Sequence, residues 1–554
     1  MTEQLELHYE LAELPSAQHR AGLAGLALLV DYLRDEPWFE ERQDRDGAEI
    51  ELEVEDYAAT LRCNLEGLVA LFDLTYAAQP DRRSRVQKPK KFENTEEVEV
   101  TDKKGNTKTI TRYVYWTEIP KGAFLPELDP SHENGSGVWI KLWREMLWQI
   151  VRGVPATRKP YQNRVAPRDR SYETIRFSSD TEKIWQELTK PDKPVNQSGN
   201  YYLGAMAKTA ENVPTRDRAR YQFILHFWPF VTQVYCPAVL DKDGKREFRG
   251  YALAVPDVAN LFEFCDLFRS VLQDRAVESY DYRPREAVID LPEEGGLDVL
   301  RLLRDRVQRE SGDLQWHEYL LGVELIHAEK VGNSGVKLRS TGYVEPINSQ
   351  VDRYSQIRED YWCPWFRKQR LINLLSSNNP SIKPWSGFDA LLSRIPRAWL
   401  QDPYFSHDAR TLFQKEINMT TQSTSQTSKK IRSYAEIIYQ VCQAYVLSKL
   451  DSKYDLRWKK CAGNPKLESD FNTKKAKIAN EAFLAVRART EKQAFIDYFV
   501  STLYPHIRQS EFAEFATDLF DKTDEIRALT LLGLSSQYPL KPKEVLKDGA
   551  VTSS

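Results

Sequence analysis

At 554 residues, with 41% hydrophobic and 29% charged side chains, the chain has the make-up of a soluble globular protein with length for roughly three or four cores. Its net charge of −3 hides an asymmetry: residues 419–554 hold 21 Lys+Arg against 16 Asp+Glu, a balance of +5, which leaves −8 for residues 1–418. No apolar run approaches the roughly 18 residues of a membrane helix, and the six cysteines form no CxxC pair, which argues against a zinc knuckle or a disulfide framework and for a reducing, cytoplasmic setting.

The chain opens as strand, helix, strand, helix. Leu5 to Glu10 reads as a short strand, and after Pro15 and Ser16 a helix is predicted from Ala17 to about Arg34, with Leu23, Leu26, Ala27, Val30 and Leu33 at helical spacing. Gly22-Leu23-Ala24-Gly25 falls inside that helix, where it permits close packing rather than cradling phosphate. Ala21 to Val30 is apolar but lacks a basic leader and a cleavage site, so it is not read as a signal peptide. Ile50-Glu51-Leu52-Glu53-Val54 alternates strictly, as a half-buried strand does, and Leu65 to Ala77 restores the helical period.

Residues 80–120 are predicted to form a projecting two-stranded hairpin, Glu96 to Thr101 against Thr107 to Trp116, turning at Lys103-Lys104-Gly105-Asn106. Its approach carries Arg82, Arg83, Arg85, Lys88, Lys90 and Lys91, and its tip Lys103 and Lys104. Such an arm suits nucleic-acid contact; a solvated loop kept soluble by lysine is the plainer alternative.

Val138 to Arg152 is predicted as an aromatic helix containing Trp139, Trp143 and Trp148. The basic loop behind it holds Arg152, Arg158, Lys159, Arg164, Arg168 and Arg170, with Tyr161, Gln162 and Asn163 between them. Arginine, amide and aromatic residues on one Pro-rich loop are the groups that phosphate and base-edge contacts require. A second polar loop, Pro194 to Asn212, carries Asn196, Gln197, Ser198, Gly199 and Asn200.

Tyr221 to His226 and Tyr251 to Val255 read as strands around an Asp-Gly turn, followed by helices at Val258 to Leu272 and Leu297 to Arg309. Val323 to Ala328 and Val336 to Leu338 suggest strands about Gly332-Asn333-Ser334-Gly335. Helices dominate from about Val351. After a Thr/Ser/Gln run, Ile431, Tyr434, Ile437, Ile438, Val441, Tyr445 and Val446 form one helical stripe, and further helices are predicted near 473–489, 492–505 and 510–534. The expected fold class is α+β. A mixed α/β body with its hairpin arm spans 1–350, a helical connecting region 351–418, and a linker plus all-α bundle 419–554.

Enzyme-like strings fail on their chemistry. His317-Glu318-Tyr319-Leu320-Leu321 begins like an HExxH zinc helix, but Leu321 stands where the second histidine must be. His407-Asp408 matches the dipeptide of HD-type phosphohydrolases, yet eight scattered histidines offer no ligand set around it. No P-loop and no GxGxxG after a strand occurs, and His226 sits in an apolar run as a core histidine does. The reading is a protein that is not an enzyme, with no cofactor and no metal.

Several longer strings carry a resemblance. They are Leu11-Ala12-Glu13-Leu14-Pro15-Ser16-Ala17-Gln18-His19-Arg20-Ala21-Gly22-Leu23-Ala24-Gly25-Leu26, the Trp139 to Trp148 helix with its Arg152-Gly153-Val154-Pro155 exit, and Leu203-Gly204-Ala205 through Ala210-Glu211-Asn212-Val213-Pro214. Leu225-His226-Phe227-Trp228-Pro229 and Gly250-Tyr251-Ala252-Leu253-Ala254-Val255-Pro256-Asp257 belong with them. From about residue 5 to 410 the chain resembles the large subunit of the Myxococcus-type CRISPR Cascade, grouped with type I-B and I-A effectors.

The resemblance implies a non-catalytic subunit near the 5′ handle of a guide RNA, one that inspects the protospacer-adjacent motif (PAM) on duplex DNA and helps open the strands. It implies backbone and small subunits as partners, a helicase-nuclease or transposition proteins downstream, and no membrane. Within that frame, Arg158, Lys159, Gln162, Asn163, Arg164 and Arg168 are the first candidates for reading the motif, and Asn196, Gln197 and Asn200 the second. Arg82, Arg83, Arg85, Lys103 and Lys104 form the basic arm. Lys429, Lys430, Arg432, Lys474, Lys475, Lys477, Arg487 and Arg489 are the candidates for holding the displaced strand and stabilising the R-loop. The resemblance also implies that the bundle can be made separately as a small subunit, and Met419 stands where an internal start would give a 136-residue product (554 − 418). Two other readings stay open: an HD-type phosphohydrolase or nuclease using His407-Asp408, and a protein–protein scaffold without nucleic-acid contact.

Overall fold

The computed structural model describes residues 4–89, 92–101, 107–132, 135–165, 177–197, 199–206, 215–240, 246–310, 312, 315–332, 335–376, 382–396, 403–423, 433–506 and 513–538. Two compact units result, Met1–Val239 with Glu247–Val351 and Leu240–Arg246 with Asp352–Ser554. The first is mixed α/β and the second almost entirely helical, as the sequence patterns anticipate.

The first unit begins with β1 (Leu5–Glu10), α1 (Ala17–Arg34), α2 (Pro37–Asp46), β2 (Ile50–Val54), β3 (Ala58–Cys63) and α3 (Leu65–Thr75). The strands form an antiparallel sheet in the order β1-β3-β2. Alternation sends Leu7, Tyr9, Ala59, Leu61 and Cys63 inward and leaves Glu6, Glu51 and Arg62 outside. Asn64 starts α3: its Oδ1 accepts from Gly67 N at 2.8 Å and Glu49 N at 3.0 Å.

α1 is buried along nearly its whole length, and its small residues explain how. A Cβ on Gly22 would lie 2.4 Å from Ile224 O, and one on Gly25 would lie 2.3 Å from Phe227 O. Those glycines therefore serve backbone approach, as their setting inside a helix suggests.

β4 (Ala78–Arg85), β5 (Asn94–Thr101) and β6 (Thr107–Pro120) form a second antiparallel sheet, in the order β4-β6-β5. The arm is thus three-stranded, not the two-stranded hairpin expected. Pro80 and the run of charged residues give β4 no alternation to read, yet Ala78 to Arg85 pair residue by residue with Pro120 to Tyr113.

α4 (Val138–Met146) is capped by the buried Asp129, whose carboxylate accepts from Trp139 N at 3.0 Å and Ile140 N at 2.9 Å. A π-helical turn, Leu147–Val151, follows, then α5 (Pro155–Gln162), α6 (Ser179–Leu188), β7 (Pro194–Asn196), β8 (Arg216–Arg218) and α7 (Ala219–Ile224). The α7 segment corrects the strand expected at Tyr221 to His226. It is a short apolar run buried on several sides, and such runs do not distinguish strand from helix by period.

The largest sheet runs in the order β10 (Arg246–Phe248), β9 (Gln233–Leu240), β11 (Tyr251–Val258), β15 (Leu320–Val331), β16 (Gly335–Val344). The short pairs β12 (Ser279–Tyr280) and β13 (Arg283–Pro284), and β14 (Val288–Ile289) parallel to β9, lie between α8 (Leu261–Gln273) and α9 (Glu294–Glu310). Every residue of β11 is buried. An ion pair from Arg20 to Asp257 at 2.5 Å ties α1 to it, and Tyr343 donates to the other Asp257 oxygen at 2.9 Å.

In the second unit the helix Thr523–Ser535 is the axis. Ile526, Leu529, Leu531, Leu532 and Leu534 are all buried, and helices Phe388–Arg394, Pro403–Ser423, Tyr434–Tyr454 and Pro465–Ala488 pack around it. The expected stripe is buried at Ile437, Ile438, Val441, Tyr445 and Val446, while Ile431 lies outside the described residues. The single helix expected over 510–534 is two, Ala513–Asp521 and Thr523–Ser535, which break at Lys522. Met419 falls within the helix Pro403–Ser423.

Candidate nucleic-acid interface

α5 and its exit carry the first set of candidate readers, and burial divides them. Thr157 and Tyr161 face inward. Arg158 turns back on the preceding helix, donating from Nε to Arg152 O and from Nη2 to Trp148 O, both at 2.9 Å, with its guanidinium over the Trp148 ring at 5.1 Å. Arg164 is 2% exposed and ion-paired to Asp73 at 2.7 Å and Asp180 at 2.8 Å. Arg42 reaches the other Asp73 oxygen at 2.8 Å. Burial raises the Asp73 carboxyl above its ordinary value, against the downward pull of Arg164 and Arg42. Both arginines are therefore committed to the interior.

Lys159, Gln162 and Asn163 remain on the outside. Gln162 donates to Glu118 Oε1 at 2.9 Å, on the last stretch of β6, and Val165 bridges Ala78 at the start of β4. The structure thus brings two separately identified clusters together, the outward face of α5 and the root of the three-stranded sheet.

On that sheet, register sets the faces. Arg83 and Arg85 lie opposite Tyr115 and Tyr113, while Arg82 lies opposite Trp116 on the reverse face. Arg85 covers the Tyr115 ring at 5.1 Å. Arg82 pairs with Glu96 at 2.5 Å, and Arg83 pairs with Asp81. With Glu97 and Glu99 also on β5, the described part of the arm is charge-mixed rather than uniformly basic.

The second candidate loop joins the first through Arg152. That side chain is 1% exposed, stands over Tyr201 at 4.2 Å, and donates to Asn200 O at 2.6 Å. Gln197 is 9% exposed and donates to Asp217 at 3.2 Å, and Asn196 accepts from Arg216 Nε at 3.0 Å. His226, in the same core, is hydrogen-bonded to Tyr76, and burial pushes its imidazole down to about 3. It is a neutral core histidine.

In the second unit the candidate cations also separate. Lys477 is exposed, and Lys474 lies over the Tyr454 ring at 5.2 Å. Lys475 turns inward, where burial and then the charge of Arg410 lower its ammonium to about 8. Arg487 donates to Ser393 O at 2.8 Å, and Arg489 donates to Ala485 O at 2.6 Å and covers the Tyr498 ring at 4.3 Å. Arg168, Arg170, Lys90, Lys91, Lys103, Lys104, Lys429, Lys430, Arg432 and Ser198 lie outside the described residues.

His407-Asp408 is a cap. Asp408 is fully buried and accepts from Trp362 N at 3.0 Å and Cys363 N at 2.7 Å, at the start of the helix Pro364–Leu375. His407 Nδ1 lies 3.1 Å from Asp408 Oδ1, which accepts its proton in a hydrogen bond, and the imidazole stacks on Trp362 at 4.0 Å. Among the described residues no three His, Cys, Asp or Glu are grouped to hold a metal, and no helix is long and apolar enough to cross a membrane.

One cluster escaped the sequence reading. Trp458, 50% exposed, lies where the helix Tyr434–Tyr454 turns into Pro465–Ala488, a stretch of chain that also holds Lys453, Lys459, Lys460 and Lys466. The string Trp458-Lys459-Lys460 was its visible signal, but exposure of the ring could not be read from it.

Comparison with known families gives two consecutive matches. A family model described as the type I-B CRISPR Cas8b N-terminal domain matches residues 49–313, and one described as the type I-B CRISPR Cas8b C-terminal domain matches residues 320–537. No curated protein matches the chain.

Proposed function

We propose, for a chain that belongs to the Cas8b large-subunit family of type I-B CRISPR complexes, that its duplex-reading surface is the outward face of α5 set against the root of the three-stranded sheet. The family is non-catalytic, so what this subunit contributes to a Cascade is recognition and opening of DNA. Guide RNA supplies sequence pairing, and the protein needs to read only a short motif and the backbone.

The observation that supports this assignment is the exposure of Lys159, Gln162 and Asn163, with Gln162 held to Glu118 at the root of the arm's sheet, while Arg158 folds back on the preceding helix and Arg164 is buried in ion pairs. Amides donate and accept at base edges, and lysine and arginine hold phosphate. Lys474 and Lys477 would lie along the displaced strand, and Lys429, Lys430 and Arg432, outside the described residues, are proposed for the same role. The partners in this reading are the guide RNA 5′ handle, duplex DNA, and the backbone and small subunits. The bundle would also be made separately from Met419.

The test is selection of targets by the assembled complex from a library randomised beside the protospacer. Wild type should return a short motif, and the Gln162→Ala, Asn163→Ala double variant should return a degraded one with guide loading intact. An identical motif at unchanged affinity would remove α5 from the reading surface.

A further inference from the structure

The corner between the helices Tyr434–Tyr454 and Pro465–Ala488 is built to hold an indole in solvent. Asp455 closes the first helix in the left-handed region, at φ 49°, and Gly463 turns the chain again at φ 87°. Asn464 caps the second helix through Lys466 N and Leu467 N, at 3.1 and 3.3 Å, and Glu468 accepts from Gly463 N at 2.8 Å. Cys461, 1% exposed, anchors the single turn Trp458–Cys461. One edge of Trp458 is fixed by Phe471, whose ring lies 5.3 Å away, while half of its surface faces water.

The stretch of chain that carries this ring is basic. Residues 451–477 hold eight Lys+Arg against four Asp+Glu, a balance of +4. Asp451 is taken by Arg457 at 2.6 Å and Asp455 by Lys460 at 3.2 Å. Lys453 and Lys474 both lie over the Tyr454 ring, at 5.6 and 5.2 Å, while Lys459 and Lys466 are exposed. An exposed, rigidly held aromatic ring flanked by cations is the arrangement that binds unpaired nucleotides, the ring by base stacking and the lysines by phosphate contact.

We propose that Trp458 is a stacking platform for one base of a single strand, with Lys459 and Lys466 holding the phosphates beside it. This rests on the reading of the bundle as the carrier of the displaced strand, and adds both a residue and a contact type to it. Binding here is indifferent to sequence, because every base has a face to stack.

The experiment uses the full chain and a 20-nucleotide oligothymidylate, with affinity measured across salt concentrations. Trp458→Ala should weaken binding about tenfold with the salt slope unchanged, and Trp458→Phe should restore most of it. The Lys459→Gln, Lys466→Gln double variant, at exposed positions that do not threaten folding, should lower the slope by about 1.4, at roughly 0.7 per single-strand phosphate. Affinity and slope both unchanged in folded variants would overturn the proposal. So would unchanged strand affinity with loss of a co-purifying subunit, since the surface would then be a protein contact. A complex that still selects its motif while Trp458→Ala holds the strand as wild type does overturns the platform alone. Loss of strand binding in a chain that selects no motif supports the platform and overturns the α5 reading.

Discussion

Arg164 Nε lies 2.7 Å from Asp73 Oδ1, while its two terminal nitrogens reach the two Asp180 oxygens at 2.8 and 2.9 Å. A guanidinium so enclosed holds α3, α5 and α6 together and cannot also hold DNA. Removing one partner of a buried pair leaves the other charge unpaired, at a cost of about 3–5 kcal/mol. Arg164→Ala should therefore lower the denaturant midpoint sharply, and folded Arg164→Ala protein should bind duplex with the wild-type salt slope. A reduced slope at wild-type stability would place Arg164 on the DNA after all.

Lys475 gives the opposite case, a cation whose burial has a pH signature. Its folded value of about 8 lies below the ordinary 10.5, so between those limits the unfolded chain binds more protons than the folded one. The sign follows: stability linked to this group rises as pH rises from about 8 to 10.5, and below 8 the buried charge is a constant penalty. Lys475→Met should be more stable than wild type at pH 7, and the difference should shrink by pH 10. Denaturant melts of the pair across that range check it, and a constant difference would refute it.

The contrast between Arg164 and Lys159, or Lys475 and Lys477, marks the limit of what was legible in the chain. Strong periodicity was read to the residue: Leu5–Glu10, Ala17–Arg34 and Ile50–Val54 all stand as expected. Ala58–Cys63 and Ala78–Arg85 were missed: the first alternates, with Ala59, Leu61 and Cys63 inside, but over only 6 residues, while the second shows no alternation and becomes a strand through its partner in the sheet. Basic residues were found by type, but whether a guanidinium meets water or two carboxylates depends on Asp73 and Asp180, distant in the chain. Trp458 was passed over for the same reason, as tryptophans are more often core than exposed.

Asp408 satisfies two backbone donors at the head of the helix Pro364–Leu375, at 3.0 and 2.7 Å. Asp408→Ala should lower stability by about 1–3 kcal/mol, the cost of stranding buried donors. His407→Ala, losing a stacked ring at the surface, should cost less. A metal-dependent phosphohydrolase would show a different pattern, with both variants losing turnover at unchanged stability. Calorimetric melts alongside a manganese-dependent phosphodiester assay separate the two.

Gly25 tests the packing of α1 directly. Its Cβ would sit 2.3 Å from Phe227 O, a backbone atom that cannot swing aside. Gly25→Ala should cost about 1–3 kcal/mol through forced displacement, read as a lower melting midpoint, whereas Gly47→Ala, where a Cβ meets nothing within 4 Å but φ is +65°, should cost about 1 kcal/mol.

The helix that carries Met419 begins well before it. Pro403–Ser423 runs through this position, and Phe405, Ala409, Leu412 and Phe413 on its earlier turns are buried in the second unit. Ser406 donates to Tyr538 O at 3.0 Å and Arg410 to Ser536 O at 2.8 Å, so these turns also tie down the end of the axial helix. A product begun at Met419 would lack all of them, and would uncover apolar surface that larger complexes are able to bury. The 136-residue product should therefore be found bound within the complex and not free, and the isolated fragment should melt below a 352–554 fragment that keeps the whole unit. Replacing Met419 by Leu in the native gene should abolish the short product and leave the full chain intact. Persistence of the product after that change would place its origin elsewhere, in proteolysis or another start.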